Sequence, residues 1–319
     1  MELPIARDER EELPTPLGPA AEKIDTSSSR VSVDGLDEEE VVYRTHRRFD
    51  RAARLFSEPG LHQLMASRVL IIGVGGVGSF TAEALARSGV GSLGLVDFDR
   101  VCITNTNRQM HAMQGTIGKK KVDVMAERLR LIHPTSQVEA IPQFYNPENR
   151  DEILQGKVDF VVDAIDNLSA KADLLATCLK RGIPVVSSMG AAARMDPTQI
   201  RVADLSETYK DAFAAALRKI LRQHHGLSFG KNQPLGISAV FSPEETVAPA
   251  ELNYDKGVGF RCVCPGGSNG LHDCERRARI DGTASFVTGA FGLAAASVVV
   301  KTMISAQFHG AVRQGKAAP

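Results

Sequence analysis

A chain of 319 residues with 43% hydrophobic and 24% charged side chains has the length and composition of a soluble globular protein that buries a full core. Formal net charge is zero but unevenly spread: residues 1–44 hold twelve acidic and five basic side chains, which leaves a basic remainder compatible with a polyanionic partner. An odd set of five cysteines and the lack of an apolar signal-peptide core argue against a secreted disulfide scaffold and lead us to expect reduced thiols in a cytoplasmic compartment.

Residues 1–44 contain PTPLGP, TSSS and DEEE and little apolar periodicity, so a disordered acidic tail is expected there. The globular part then runs over residues 45–308. Residues 68–72 (RVLII) read as a buried strand, followed by a glycine loop and a helix, SFTAEALARSG, that ends at a glycine. Residues 93–97 (LGLVD) form a second strand. A helix over 118–132 carries an apolar stripe at Val122, Met125, Leu129 and Ile132 and is stopped by Pro134. Strands at 137–141 and 158–165, a helix at 169–180 and a strand at 183–188 complete an alternation that predicts a doubly wound, mostly parallel Rossmann-like α/β sheet. Beyond residue 190 the rhythm changes: a strand at 199–203, a polar helix at 209–224, a strand at 236–242 and an irregular loop over 243–282 predict an antiparallel C-terminal portion. The apolar stretch 283–304 includes Thr288, Ser297 and Lys301 and reads as part of a buried core helix ending at 308 rather than a membrane span. Residues 309–319 are expected to be a short flexible tail.

The chemistry-bearing residues begin in the loop IIGVGGVGSF, where Gly73, Gly75, Gly76 and Gly78 precede a helix. Bare backbone N–H groups and a helix N-terminus make such a loop an anion site. Asp97, at the end of the second strand, stands where a carboxylate accepts hydrogen bonds from ribose hydroxyls, and both NAD and ATP offer that ribose. The stretch DFDRVCITNTNRQ adds Asp99, Asn105 and Arg108, and Lys121 opens the next helix. Two cations near one crevice suit the oxygens of a triphosphate better than a pyrophosphate already held by the loop, although a solvated basic face has the same composition. In DAIDN, Asp166 lies just past the edge of a central strand, as a Mg²⁺ ligand or a cap for the next helix, whereas Asp163 is inside the strand and reads as structural.

This order of motifs resembles the nucleotide site of the ubiquitin-activating-enzyme-like superfamily, with its bacterial ThiF and MoeB members, which use ATP to adenylate a carboxylate. The segments NTNRQMHA (105–112), VMAERLRLIHP (124–134), VVDAIDN (161–167) and DPTQIRVADLSETYKDAFAAALRK (196–219) are more similar to the tRNA threonylcarbamoyladenosine dehydratases, over roughly residues 46–308. The resemblance implies an ATP- and Mg²⁺-dependent enzyme that dehydrates, and so cyclises, threonylcarbamoyladenosine in tRNA through an acyl adenylate. It further implies that Asp97, with Asp99 beside it, belongs to the ribose site. Asn105, Arg108 and Lys121 would contact phosphates, Asp166 would hold Mg²⁺, and Arg51 or Arg54 would reach a partner subunit's ATP in a homodimer. A sulfur-relay-type protein partner also fits this superfamily. Two rival readings share the loop: adenylation of the C-terminal glycine of a small sulfur-carrier or ubiquitin-like protein, and an NAD-dependent oxidoreductase.

Paired CxxC zinc motifs of MoeB-type relatives are replaced by CVC (262–264) with Cys274, so neither a structural zinc nor a thioester cysteine is expected. After the strand at 183–188 the chain reads MGAAAR, where the family tends to glycine. His133, His224 and His225 follow helical segments and show no metal-ligand spacing. Arg44, Arg47, Arg48, Arg51 and Arg54, with Arg276, Arg277 and Arg279, are candidates for contacts to the tRNA backbone.

Overall fold

A computed structural model describes residues 38–230, 233–252, 263 and 280–314. The chain divides into two units, residues 1–43 and 44–319, and of the first only the opening turns of one helix are described. That helix, α1 (Glu38–Arg48), begins inside the segment expected to be tail; His46, Arg47 and Arg48 in its last turn complement the helix dipole. The tail expectation for residues 1–37 lies outside the described residues.

After α1 come α2 (Asp50–Phe56) and α3 (Glu58–Met65), then β1 (Arg68–Ile72), α4 (Gly78–Arg87), β2 (Ser92–Val96), α5 (Lys121–Ile132), β3 (Gln137–Ile141), α6 (Arg150–Ile153), β4 (Phe160–Asp163), α7 (Leu168–Arg181), β5 (Val185–Ser188), β6 (Arg201–Asp204), α8 (Ala212–His225), β7 (Ser238–Phe241) and α9 (Ser285–Gln314). The strands form one sheet in the order β3-β2-β1-β4-β5-β7-β6. Every pairing is parallel except β6 with β7, so the antiparallel portion is this single edge strand. The strand order reverses between β1 and β4, and the crevice outside their carboxyl ends is where open sheets of this type bind ligands.

Alternation along each strand fills two cores. Val69 and Ile71 of β1 face α3, α4, α5 and α9, while Leu70 and Ile72 face the layer of α6, α7 and α8. Burial on both faces explains why these strands read as continuous apolar runs. Helix ends follow local chemistry. Asn167 caps α7 by accepting from Ser169 N and Ala170 N, and Gly182 closes it in the left-handed region; Asp211 and Gly226 do the same for α8. Among the described residues, α9 alone is long and apolar enough to cross a membrane. Val287, Phe291, Ala295, Val299 and Ile304 instead sit in the core against α4 and the sheet, the arrangement expected of a core helix. It continues to Gln314 through residues expected to be a flexible tail; no proline interrupts the segment before Pro319.

Candidate nucleotide site

The loop from Gly73 to Gly78 joins β1 to α4, and each glycine has its own reason to be there. Gly73 has φ +92°, and a Cβ on it would lie 2.6 Å from Ala164 O at the end of β4. A Cβ on Gly78 would lie 1.8 Å from Gly73 O, so only glycine lets α4 start this close to the loop. Gly76 packs under Arg108 O and Thr288, both 3.3 Å from a notional Cβ. Gly75 differs: the nearest atom to a Cβ there is Gln109 Nε2 at 3.8 Å, so its backbone stands bare. α4 starts at Gly78 without a side-chain cap, directly after that bare backbone, and Ser79 N donates to Gly75 O at 3.1 Å.

Asp97 is locked at the end of β2: its Oδ2 accepts from Val74 N and its Oδ1 from Asp99 N, both at 2.8 Å. Lys121, 5% exposed, donates from Nζ to Asp99 Oδ2 at 2.7 Å. Burial pulls the Lys121 ammonium toward its neutral form, but the carboxylates of Asp97 and Asp99 and, farther off, Asp166 outweigh it, so its pKa rises. Burial drives the Asp97 carboxyl above the ordinary range against the opposing charge of Lys121. These four residues, two from the β2 loop, one from the start of α5 and one from the end of β4, form one electrostatic cluster at the switch point. Asp166 is exposed there.

The 105–110 segment lies over the loop. Asn105 is 8% exposed and accepts at Oδ1 from Cys102 N, so half of its amide holds the backbone turn that presents Arg108. The Arg108 guanidinium donates to Thr104 O and Asn107 Oδ1, both at 2.9 Å, and Met110 N donates to Ser79 Oγ of α4. Two buried neighbours escape sequence reading. Gln109 Oε1 and both ring nitrogens of His111 are buried with no hydrogen-bond partner among the described residues, and burial, with Lys121 nearby, pushes His111 down to about 3. Their polarity suggests surface residues; only the fold of the segment reveals otherwise.

Beneath Asp166, Asp163 is fully buried, with its Oδ2 accepting from Lys171 Nζ at 2.6 Å and from Ser187 Oγ at 2.5 Å, while Oδ1 accepts from Ile165 N. The strand-interior aspartate is thus structural, and it pins the turn that leads to Asp166. In MGAAAR, Ala193 adopts φ +60° and Arg194 is buried against Asp211 at 3.3 Å.

Arg51 and Arg54 lie on α2, exposed; Arg54 Nε pairs with Asp50 Oδ2 at 3.1 Å. Among the described residues no hydrogen bond or ion pair joins either arginine to the glycine loop. Arg48 donates to Ile132 O and Arg47 lies 3.7 Å from Asp50. Cys262, Cys264, Cys274, Arg276, Arg277 and Arg279 lie outside the described residues. His133 packs edge-on against Phe49 and is buried, and His224 and His225 close α8. A separate cleft of about 640 Å³, lined by residues including Arg68, His133 and Asp159, opens at the amino ends of β1 to β3, the opposite end of the sheet from the glycine loop.

A model of the ThiF family matches residues 49–315. A tRNA threonylcarbamoyladenosine dehydratase of Haemophilus influenzae is 40% identical over 258 residues, covering 81% of this chain and 94% of that protein. The enzyme of the same name from Escherichia coli K12 is 40% identical over 271 residues, 84% and 96% of the two chains. Among solved structures, the E. coli tRNA N6-threonylcarbamoyladenosine dehydratase in complex with ATP superposes with a TM-score of 0.71 at 37% identity, covering 83% of this chain and 96% of that one.

Proposed function

Because the chain belongs to the ThiF family, we propose that it is an ATP-dependent dehydratase that adenylates and cyclises threonylcarbamoyladenosine in tRNA. The observation that carries this reading is the similarity to dehydratases over nearly their whole length, which includes the 196–219 segment as well as the nucleotide loop. An adenylating reaction needs a carboxylate substrate, and the modification supplies one in its threonyl group.

The threonyl carboxylate oxygen attacks the α-phosphorus of ATP, pyrophosphate leaves, and a heteroatom of the same threonylcarbamoyl group then attacks the acyl carbon and releases AMP. The net change is loss of water from the nucleoside. Gly73 to Gly78 and the uncapped start of α4 cradle phosphate, and the bare face of Gly75 admits it. Asp97, already fixed by two backbone N–H groups, positions the ribose, with Asp99 orienting Lys121. Lys121 has three donors and gives one to Asp99, so two remain for phosphate oxygens. Arg108 and Asn105 meet phosphate from the overlying segment. The exposed carboxylate of Asp166 fits Mg²⁺, which would neutralise charge on the pyrophosphate as it leaves. Arg51 or Arg54 serves the partner's site in a homodimer, and the enzyme works in the cytoplasm.

Incubation with ATP and tRNA carrying threonylcarbamoyladenosine should yield AMP and the cyclic nucleoside, whereas unmodified tRNA should yield neither. AMP formation stimulated only by a small protein ending in Gly-Gly would replace this reading with the sulfur-carrier one. Tight NAD binding without ATP binding would discard both.

A further inference from the structure

Away from the nucleotide loop, three side chains that the proposed reaction does not use converge between α1 and α3. His46 lies in the last turn of α1; Glu58 opens α3, and His62 follows it by one helical turn. One ligand atom from each, an imidazole nitrogen or a carboxylate oxygen, lies within 4.8 Å of the other two. The two imidazoles meet edge to face, with centroids 5.3 Å apart and an interplanar angle of 81°. Glu58 and His62 are exposed and His46 is half-buried, so an ion can enter.

We propose that His46, Glu58 and His62 form a binding site for a zinc-class divalent transition metal. Two imidazoles and one carboxylate are a donor set that zinc takes with water in the fourth position. Ligand bonds of about 2.0–2.2 Å in a tetrahedron set donor atoms about 3.4 Å apart, so contraction from 4.8 Å needs rotamer adjustment and no movement of helices. The Glu58 and His62 pair, four residues apart on one helix face, supplies two ligands from a single rigid element. His46 supplies the third across the chain that contains α2. The bound ion therefore ties the end of α1 to α3 and closes a covalent-like loop around Arg51 and Arg54.

The ordinary alternative is a solvated histidine pair with a helical carboxylate beside it, and the two are separable with the full-length protein. Competition against a chromophoric zinc chelator should give one tight site per chain. His46→Ala and His62→Ala should each weaken it by roughly 10- to 100-fold or more, since loss even of an outer partner of a ligand has that effect. Affinity should be weaker in acid than at neutral pH, because metal and protons compete for the same ligand nitrogens. Substitution with Co²⁺ should give ligand-field absorption without a thiolate charge-transfer band. Undiminished zinc binding in the His46→Ala/His62→Ala double variant, or a thiolate band pointing to Cys262, Cys264 and Cys274, would overturn the assignment. Absence of a stoichiometric site in the wild-type protein would do so as well. His62 is exposed and His46 only half-buried, so circular dichroism of each variant should match wild type.

Discussion

Asp166 is exposed at the end of β4 and its charge reaches the buried Lys121, so it can be altered without disturbing a core. Asp166→Asn should leave the thermal midpoint unchanged and slow AMP formation by roughly 10- to 150-fold, the equivalent of about 1.5–3 kcal/mol for one charge-assisted contact made in the transition state. A variant with wild-type AMP release would remove Asp166 from the metal site. Ala193 offers the converse test. Its φ of +60° is a left-handed conformation that an L side chain adopts at a cost of about 1–2 kcal/mol. Glycine regains part of that while losing some entropy on folding, so Ala193→Gly should stabilise by about 0.5–1 kcal/mol, measured as a higher urea midpoint with unchanged m. At this scale the sequence put forward Gly73 to Gly78, Asp97, Lys121 and Asp166 as candidates, each at a loop or helix start that the strand pattern marks, and the fold gathers them at one end of the sheet. The sequence left Gln109 and His111 out, because a polar side chain announces nothing about burial, and it left out His46, Glu58 and His62, because the third donor comes from a different helix.

Elements are joined here by a few charged side chains as well as by apolar faces. Glu83 of α4 accepts from Arg128 of α5 at 2.5 Å and from Arg87 at 2.6 Å, with only 9% of its side chain exposed. Burial alone would raise its pKa, but the two guanidinium partners overcome this and hold it below the ordinary carboxylate value of 4.5. A lowered folded pKa means stability that is complete above pH 4.5 and drains away as pH falls through the folded value. Glu83→Gln should therefore cost about 1–2 kcal/mol at pH 7, and the gap to wild type in urea unfolding should narrow in acid. A gap that stays constant with pH would mean that the charge contributes nothing. The strands at 68–72 and 137–141 were legible to the residue, the first as an apolar run and the second, QVEAI, as a short extended segment between Pro134 and Pro142. The strand expected at 183–188 begins two residues later: Ile183 N returns to Cys178 O to close α7, which takes Ile183 out of the ladder. The short helices α2, α3 and α6 were not anticipated, since four to eight residues carry too little periodicity to announce themselves.

On the scale of the whole molecule, the proposed homodimer makes a quantitative demand. If Arg51 or Arg54 completes the partner's site, a double variant lacking both arginines and a variant lacking Asp166 should each be strongly slowed alone. Mixed and allowed to exchange, half of the dimers are hybrids, and each hybrid has one site with every residue intact. Recovered activity should approach roughly a quarter of wild type, read as AMP formed per milligram after exchange. No recovery, with exchange shown by mass spectrometry, would place those arginines in their own subunit's chemistry or in none.

The position of α9 has a consequence for how the protein comes into being. Val287, Phe291, Ala295 and Val299 cover α4, the helix that opens the nucleotide loop, and Thr81 Oγ1 of α4 donates to Gly292 O. A ribosome releases the N-terminal half of the sheet, loop included, well over a hundred residues before it releases that cover. At about 5–20 residues per second the nascent chain carries an open apolar flank for roughly 5–30 s. The nucleotide loop is thus encoded early and seated late, only once α9 has been made and can fold against α4.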